Sequence, residues 1–202
     1  MRNRVRLVGA MALIGTVLSA APVPAQEPAK AMEEDEAAMM AAYMAAATPG
    51  AEHGWLASMT GKYTVTIKMW ADPSAEPQLS TASGERKMML GGRYLVEKYD
   101  GQMMDQPFES MGITAYDNVE QQYVAAWMNT HGTGIFTMTG NFDADGKVLT
   151  MWGESMDPYT KKSRKMKSIM TIVSDTEEVS EMYMMRDDGS EWKMMEFTVT
   201  KM

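Results

Sequence analysis

The sequence contains no cysteine. That excludes disulfides, thiolate zinc sites, iron–sulfur clusters, a cysteine nucleophile and a lipid anchor on an N-terminal cysteine at one stroke. Histidine is almost as scarce, with 2 residues in 202, too few for a multi-histidine metal centre. A basic excess is also missing: 19 Lys and Arg face 27 Asp and Glu, a formal charge of −8. Nucleic-acid binding needs a cationic surface to neutralise phosphates, so no nucleic-acid partner is expected. Downstream of residue 25 no apolar run approaches the ~20 residues of a membrane-spanning helix. What is abundant is methionine, whose 25 residues outnumber leucine and isoleucine together.

Residues 1–25 read as a secretory signal peptide. Arg2, Arg4 and Arg6 form a positive head, Leu7 to Leu18 an apolar centre, and Val23-Pro24-Ala25 a small-x-small cleavage signal before Gln26. The apolar run is too short to span a bilayer, and Pro22 and Pro24 end it. The expected location is periplasmic or secreted, with no stable membrane insertion after cleavage. Disulfides are permitted there but none can form, so the fold must rest on its core. Residues 26–49 are rich in Ala, Glu and Met, with the acidic cluster Glu33-Glu34-Asp35-Glu36. They suit a helical or disordered linker, either solvated or packed through Met39, Met40, Tyr43 and Met44. Pro49-Gly50 punctuates the chain, and Ala51 to Met59 reads as a short helix opening the domain 50–202.

From Gly61 the apolar period becomes two. Tyr63, Val65, Ile67 and Met69 alternate with Lys62, Thr64, Thr66 and Lys68, which describes a strand with one dry face. Further strand patterns follow near Ser80–Leu90, Arg93–Tyr99, Phe108–Tyr116, Gln122–Asn129, Gly134–Phe142, Val148–Ser155, Arg164–Val173, Val179–Arg186 and Glu191–Lys201. Gly91-Gly92, Asp100-Gly101, Asp117-Asn118, Asp145-Gly146, Ser174-Asp175 and Asp188-Gly189 supply the turns. About ten hairpin-linked strands form an antiparallel up-and-down meander, and twist curls such a meander until its edges meet. The expected fold is all-β, a closed barrel, with a two-sheet sandwich as the alternative.

Charges interrupt the apolar stretches at Arg86, Arg93, Glu97, Glu154, Glu181 and Glu196. Any of them that points inward must be paired or hydrated. In the last strand, uninterrupted alternation sets Trp192, Met194, Glu196 and Thr198 on one face. Lys193, Met195, Phe197 and Val199 then lie on the other.

Several segments together resemble the DUF1579 family. They are Leu90-Gly91-Gly92-Arg93-Tyr94-Leu95, Pro107-Phe108, Gly112-Ile113-Thr114-Ala115-Tyr116-Asp117, Tyr123-Val124-Ala125-Ala126-Trp127, Gly140 to Lys147 and Met195-Glu196-Phe197. Pro49 to His53 and Leu56 to Gly61 are similar too. The resemblance runs from about Pro49 to Met202 and implies a calycin-like barrel related in shape to lipocalins. It brings no settled activity and no catalytic residues. The sequence departs from the family pattern at Ala115, Asn129, Asp105 and Ser110, and the Gly-x-Trp that opens many calycin barrels stands here as Gly61-Lys62-Tyr63.

Motifs that could carry chemistry have simpler readings. Met-Met pairs such as Met88-Met89 and Met194-Met195 invite a soft-metal site, but adjacent strand residues face opposite ways. Methionine is therefore read as core filler in place of leucine and isoleucine, ahead of copper binding or an oxidant sink. Asn141 to Gly146 imitates the start of a calcium loop, but its twelfth position is Trp152, so it is read as a hairpin turn. His131 is read as a loop residue rather than a haem ligand, and His53 as a cap or a surface residue rather than a ligand. The basic run Lys161 to Lys167 suits a solvated turn and strand edge. No cofactor or metal is implied. The leading expectation is a barrel that binds a small, partly apolar ligand in its lumen, with Arg93, Glu97, Tyr123, Trp127 and Glu196 as candidate ligand-binding residues. A filled structural or stress-related envelope barrel comes second, and an enzyme using lumen carboxylates third.

Overall fold

The computed structural model describes residues 27–202, with side chains placed from residue 32. The signal peptide expected over residues 1–25 lies outside the described residues. The chain divides into two units after Ala41. Helix α1 (Glu27–Ala47) runs from the first unit into the second. Its Ala, Met and Glu residues are good helix formers, and Met39, Met40, Tyr43 and Met44 are exposed.

The second unit, Ala42–Met202, holds helix α2 (Ala51–Ser58) and ten strands. These are β1 (Gly61–Met69), β2 (Gln78–Met89), β3 (Tyr94–Met103), β4 (Gln106–Asp117) and β5 (Gln122–Asn129). They continue with β6 (Phe136–Phe142), β7 (Val148–Met156), β8 (Ser163–Ser174), β9 (Glu177–Met185) and β10 (Glu191–Lys201). Each strand pairs antiparallel with its sequence neighbour, and β1 pairs with β10, so the sheet is a closed ten-stranded barrel. Closure leaves no sheet edge unpaired.

Alternation builds the interior as the sequence suggests. Tyr63, Val65 and Ile67 of β1 point inward while Lys62, Thr64 and Thr66 face out. Two apolar clusters lie in the lumen. One gathers Leu56, Leu95, Tyr123, Leu149, Met151 and Met166 near α2. The other gathers Tyr63, Val65, Ile67, Tyr99, Phe108 and Val199. Met103, Met138, Met151, Met166 and Met170 are all buried, so methionine occupies core positions in this barrel.

Two local features differ from the expected pattern. Asp100-Gly101 is not a turn: β3 runs through it to Met103, and the chain reverses at Met104-Asp105, both with positive φ. Gly101 is needed for approach instead, because a Cβ there would lie 2.5 Å from the Thr81 carbonyl oxygen of the neighbouring strand. The second difference is a bulge in β10 between Lys193 and Met195. One extra residue reverses the alternation, so Glu196 shares the outer wall with Lys193 rather than a face with Trp192. The Asn141–Gly146 segment is the hairpin turn expected: Asp143 accepts hydrogen bonds from Lys147 N at 2.9 Å and Val148 N at 3.1 Å.

Candidate functional site

Helix α2 closes one end of the barrel. Its first turn is capped when Gly50 N donates to His53 Nδ1 at 3.0 Å, which gives the buried His53 a structural task. Further along, Leu56 is fully buried, and the Trp55 ring packs edge-on against Tyr123 and Phe142 at centroid distances of 5.4 and 4.8 Å. The strand after the helix is tied back to it, because the Tyr63 hydroxyl donates to Met59 O at 2.7 Å.

Beneath the helix lies an ion cluster between the two apolar clusters. Arg86 of β2 is 5% exposed and stands directly opposite Glu97 of β3. Its Nε donates to Glu97 Oε2 at 3.0 Å and to the Tyr99 hydroxyl at 2.7 Å. The other two guanidinium nitrogens donate to the two oxygens of Glu178 on β9, at 3.0 and 2.6 Å, in a bidentate pair. The guanidinium also sits over the Tyr63 ring, 4.5 Å from its centre. Burial opposes the charge on Arg86, but Glu97 and the hydrogen bonds to Glu178 outweigh it and hold its pKa well above the ordinary guanidinium value. Burial also raises the pKa of Tyr99, and the Glu97 charge raises it further.

Beside the cluster is a cavity of about 130 Å³. Arg86, Glu97 and Glu178 are the charged groups on its wall; Trp55, Leu56, Met59, Leu95, Leu149 and Met151 supply much of the apolar lining. Gly112 keeps Glu97 in place: a Cβ there would fall 2.6 Å from Glu97 Oε1 and 2.8 Å from the Trp127 ring.

The five residues singled out in the sequence scatter around this centre. Glu97 lines the cavity. Trp127 points inward on the same cross-strand row, next to Gly112, and its ring lies 6.3 Å from that of Tyr99. Tyr123 is buried under Trp55, and burial, with the Glu52 charge second, pushes its pKa up to about 12. Arg93 lies just before β3 and donates to Ala47 O at 2.7 Å, at the C-terminus of α1. Glu196 is on the outer wall, where Lys68 donates to it at 2.7 Å and Lys193 at 2.8 Å. These two hydrogen bonds, that from Lys193 first, lower its pKa.

Arg86, Tyr99 and Glu178 are not among the candidates that the sequence offers for the site, although Arg86 is among the charges that interrupt apolar stretches. Glu178 follows Glu177 at a turn, so it looks solvated, and its partner is 92 residues away. The parity of β9 is the usable signal: Met182 and Met184 are core-packed, which sets Glu178 on the same inward face.

Comparison with known proteins gives a family and no activity. Among solved structures, a redesigned beta barrel matches with 14% identity over 73% of this chain and 94% of that chain, at a TM-score of 0.38. No curated protein matches the sequence. A family model described as "Protein of unknown function (DUF1579)" matches residues 48–201, which span α2 and all ten strands. On that match over most of its length, the chain belongs to the DUF1579 family.

Proposed function

We propose that this protein is an exported binding barrel that holds a small, partly apolar molecule in the cavity beneath α2. The observation that carries the reading is that cavity: about 130 Å³, walled by apolar and aromatic side chains and by one polar cluster. Sites that select a small molecule combine an apolar lining with a few fixed polar groups. The size is close to the engineered ~150 Å³ cavity that takes up benzene, so the occupant has few heavy atoms. Nucleic acid is not a partner in this reading, because the chain is acidic.

A structural role without a ligand is favoured by one observation, that two clusters of buried apolar side chains lie within the barrel. Catalysis by the lumen carboxylates is less well supported. Glu97 and Glu178 are both ion-paired with the same Arg86 guanidinium. Titration of 15N-labelled protein with neutral and charged probes of four to six heavy atoms separates these readings. Shifts confined to Leu95, Thr114, Leu149 and Ser168 support the binding barrel; the absence of shifts with every probe supports the packed barrel. Export is tested by expressing the chain with residues 1–25 and sequencing the mature protein, which should begin at Gln26.

A further inference from the structure

The Arg86 cluster is not electrically balanced. One guanidinium meets two carboxylates, Glu97 and Glu178, and these are the charged groups that reach the cavity. The enclosed set therefore carries one net negative charge. Every guanidinium nitrogen is already engaged, with Nε on Glu97 and Tyr99 and the other two on Glu178. Two carboxylates already offset the one guanidinium charge, so an incoming anion would meet no uncompensated cation. Acceptors remain: both Arg86 and Tyr99 donate to Oε2 of Glu97, which leaves Oε1 without a protein donor among the described residues. The hydroxyls of Thr114, Ser168 and Ser180 also line the cavity and make no hydrogen bond to the protein among the described residues. Around these acceptors the wall is the Trp55 indole, the thioethers of Met59, Met151 and Met170, and leucine. Indole faces and polarisable sulfur suit a cation with a short apolar body.

Resting on the reading of the cavity as a binding site, we propose that its ligand is a small organic cation, a primary ammonium on a short alkyl or aryl stem. An ammonium brings three N–H donors and no acceptor. That matches a free carboxylate oxygen and three hydroxyl acceptors, and its charge balances the buried set. The same wall rejects carboxylates. A fatty-acid-like ligand would place a second uncompensated negative charge beside Glu97 and Glu178, with no free cation to pair it.

The test uses three probes of nearly equal size on the full-length mature chain: n-butylammonium, n-butanol and n-butyrate. Binding is read by calorimetry and by 15N shifts at Thr114 and Ser168. The proposal expects n-butylammonium to bind at least tenfold more tightly than n-butanol, and n-butyrate not to bind. If n-butanol binds as tightly as the ammonium, or n-butyrate binds, the cationic ligand class is overturned while the binding site stands. If none of the three binds, the site itself is refuted. Glu97→Gln should cut the preference for ammonium over alcohol about tenfold; an undiminished preference overturns the role of the net charge. Should circular dichroism show that Glu97→Gln does not fold, Ser180→Ala and Thr114→Val remove acceptors without touching the ion cluster. Each should weaken n-butylammonium severalfold, and unchanged affinity in both overturns the proposal.

Discussion

A guanidinium withdrawn from water is tolerable only while its partners stay charged and in place. Arg86 has two such partners, Glu97 and Glu178, and removing one side leaves the other stranded. Arg86→Met is expected to destabilise the barrel by about 3–5 kcal/mol, because two carboxylates then lie in the interior unpaired. The triple change Arg86→Met, Glu97→Leu and Glu178→Leu should be neutral, or more stable by about 1–4 kcal/mol, since apolar packing replaces desolvated charge. Urea unfolding midpoints decide between them, and a single variant as stable as the parent contradicts the account. On the outer wall the pH dependence has a definite sign. The Glu196 pKa is lowered in the fold by Lys193 and Lys68. Its contribution is therefore present above the unfolded carboxylate value of ~4.3. It fades as pH falls through the lower folded value. Thermal melts from about pH 5 to pH 3 should show a loss that Glu196→Gln reduces. At this scale the sequence was legible in part. Glu97 stands out because it interrupts Leu95, Val96 and Tyr99. Glu178 does not, because its neighbours are acidic and only barrel closure brings it to Arg86.

Among the elements, the strands were legible because alternation and turn residues speak locally, whereas bulges and interior glycines do not. Counting parity straight through β10 misplaced Glu196, since nothing in Trp192 to Met195 announces an extra residue. Asp100-Gly101 looks like a turn for the same reason: glycine signals both reversal and close approach, and only the neighbour across the strand tells which. The true reversal at Met104-Asp105 holds two ordinary residues at φ of 53° and 58°. Such turns favour Asn-Gly, because positive φ is costly for most side chains. Met104→Asn with Asp105→Gly should raise stability by about 0.5–1 kcal/mol. The gain would appear as a higher denaturant midpoint with an unchanged slope.

For the molecule as a whole, the aromatic hydroxyls shut inside the barrel tie its stability to alkali. Tyr63, Tyr99 and Tyr123 are each buried, and burial is the leading cause of the raised pKa in all three. A raised tyrosine pKa contributes stability that is complete below the unfolded value of ~10 and is lost as pH climbs through the folded values. Stability should fall from about pH 10 upward. Absorbance of phenolate should show the buried three ionising only near or after unfolding. Ionisation of all tyrosines together near their ordinary value, with the fold intact, would contradict this. The joining of β1 to β10 also imposes a timetable. β1 gains its first partner early, but contacts such as Lys68 to Glu196 bridge 128 residues. Non-local pairing is slow because chain entropy is lost before contacts repay it. During synthesis β1 therefore keeps a bare flank, open to pairing with other chains, until residues 191–201 have been made. The cylinder is finished only by its last stave, and the nascent chain must be shielded until then.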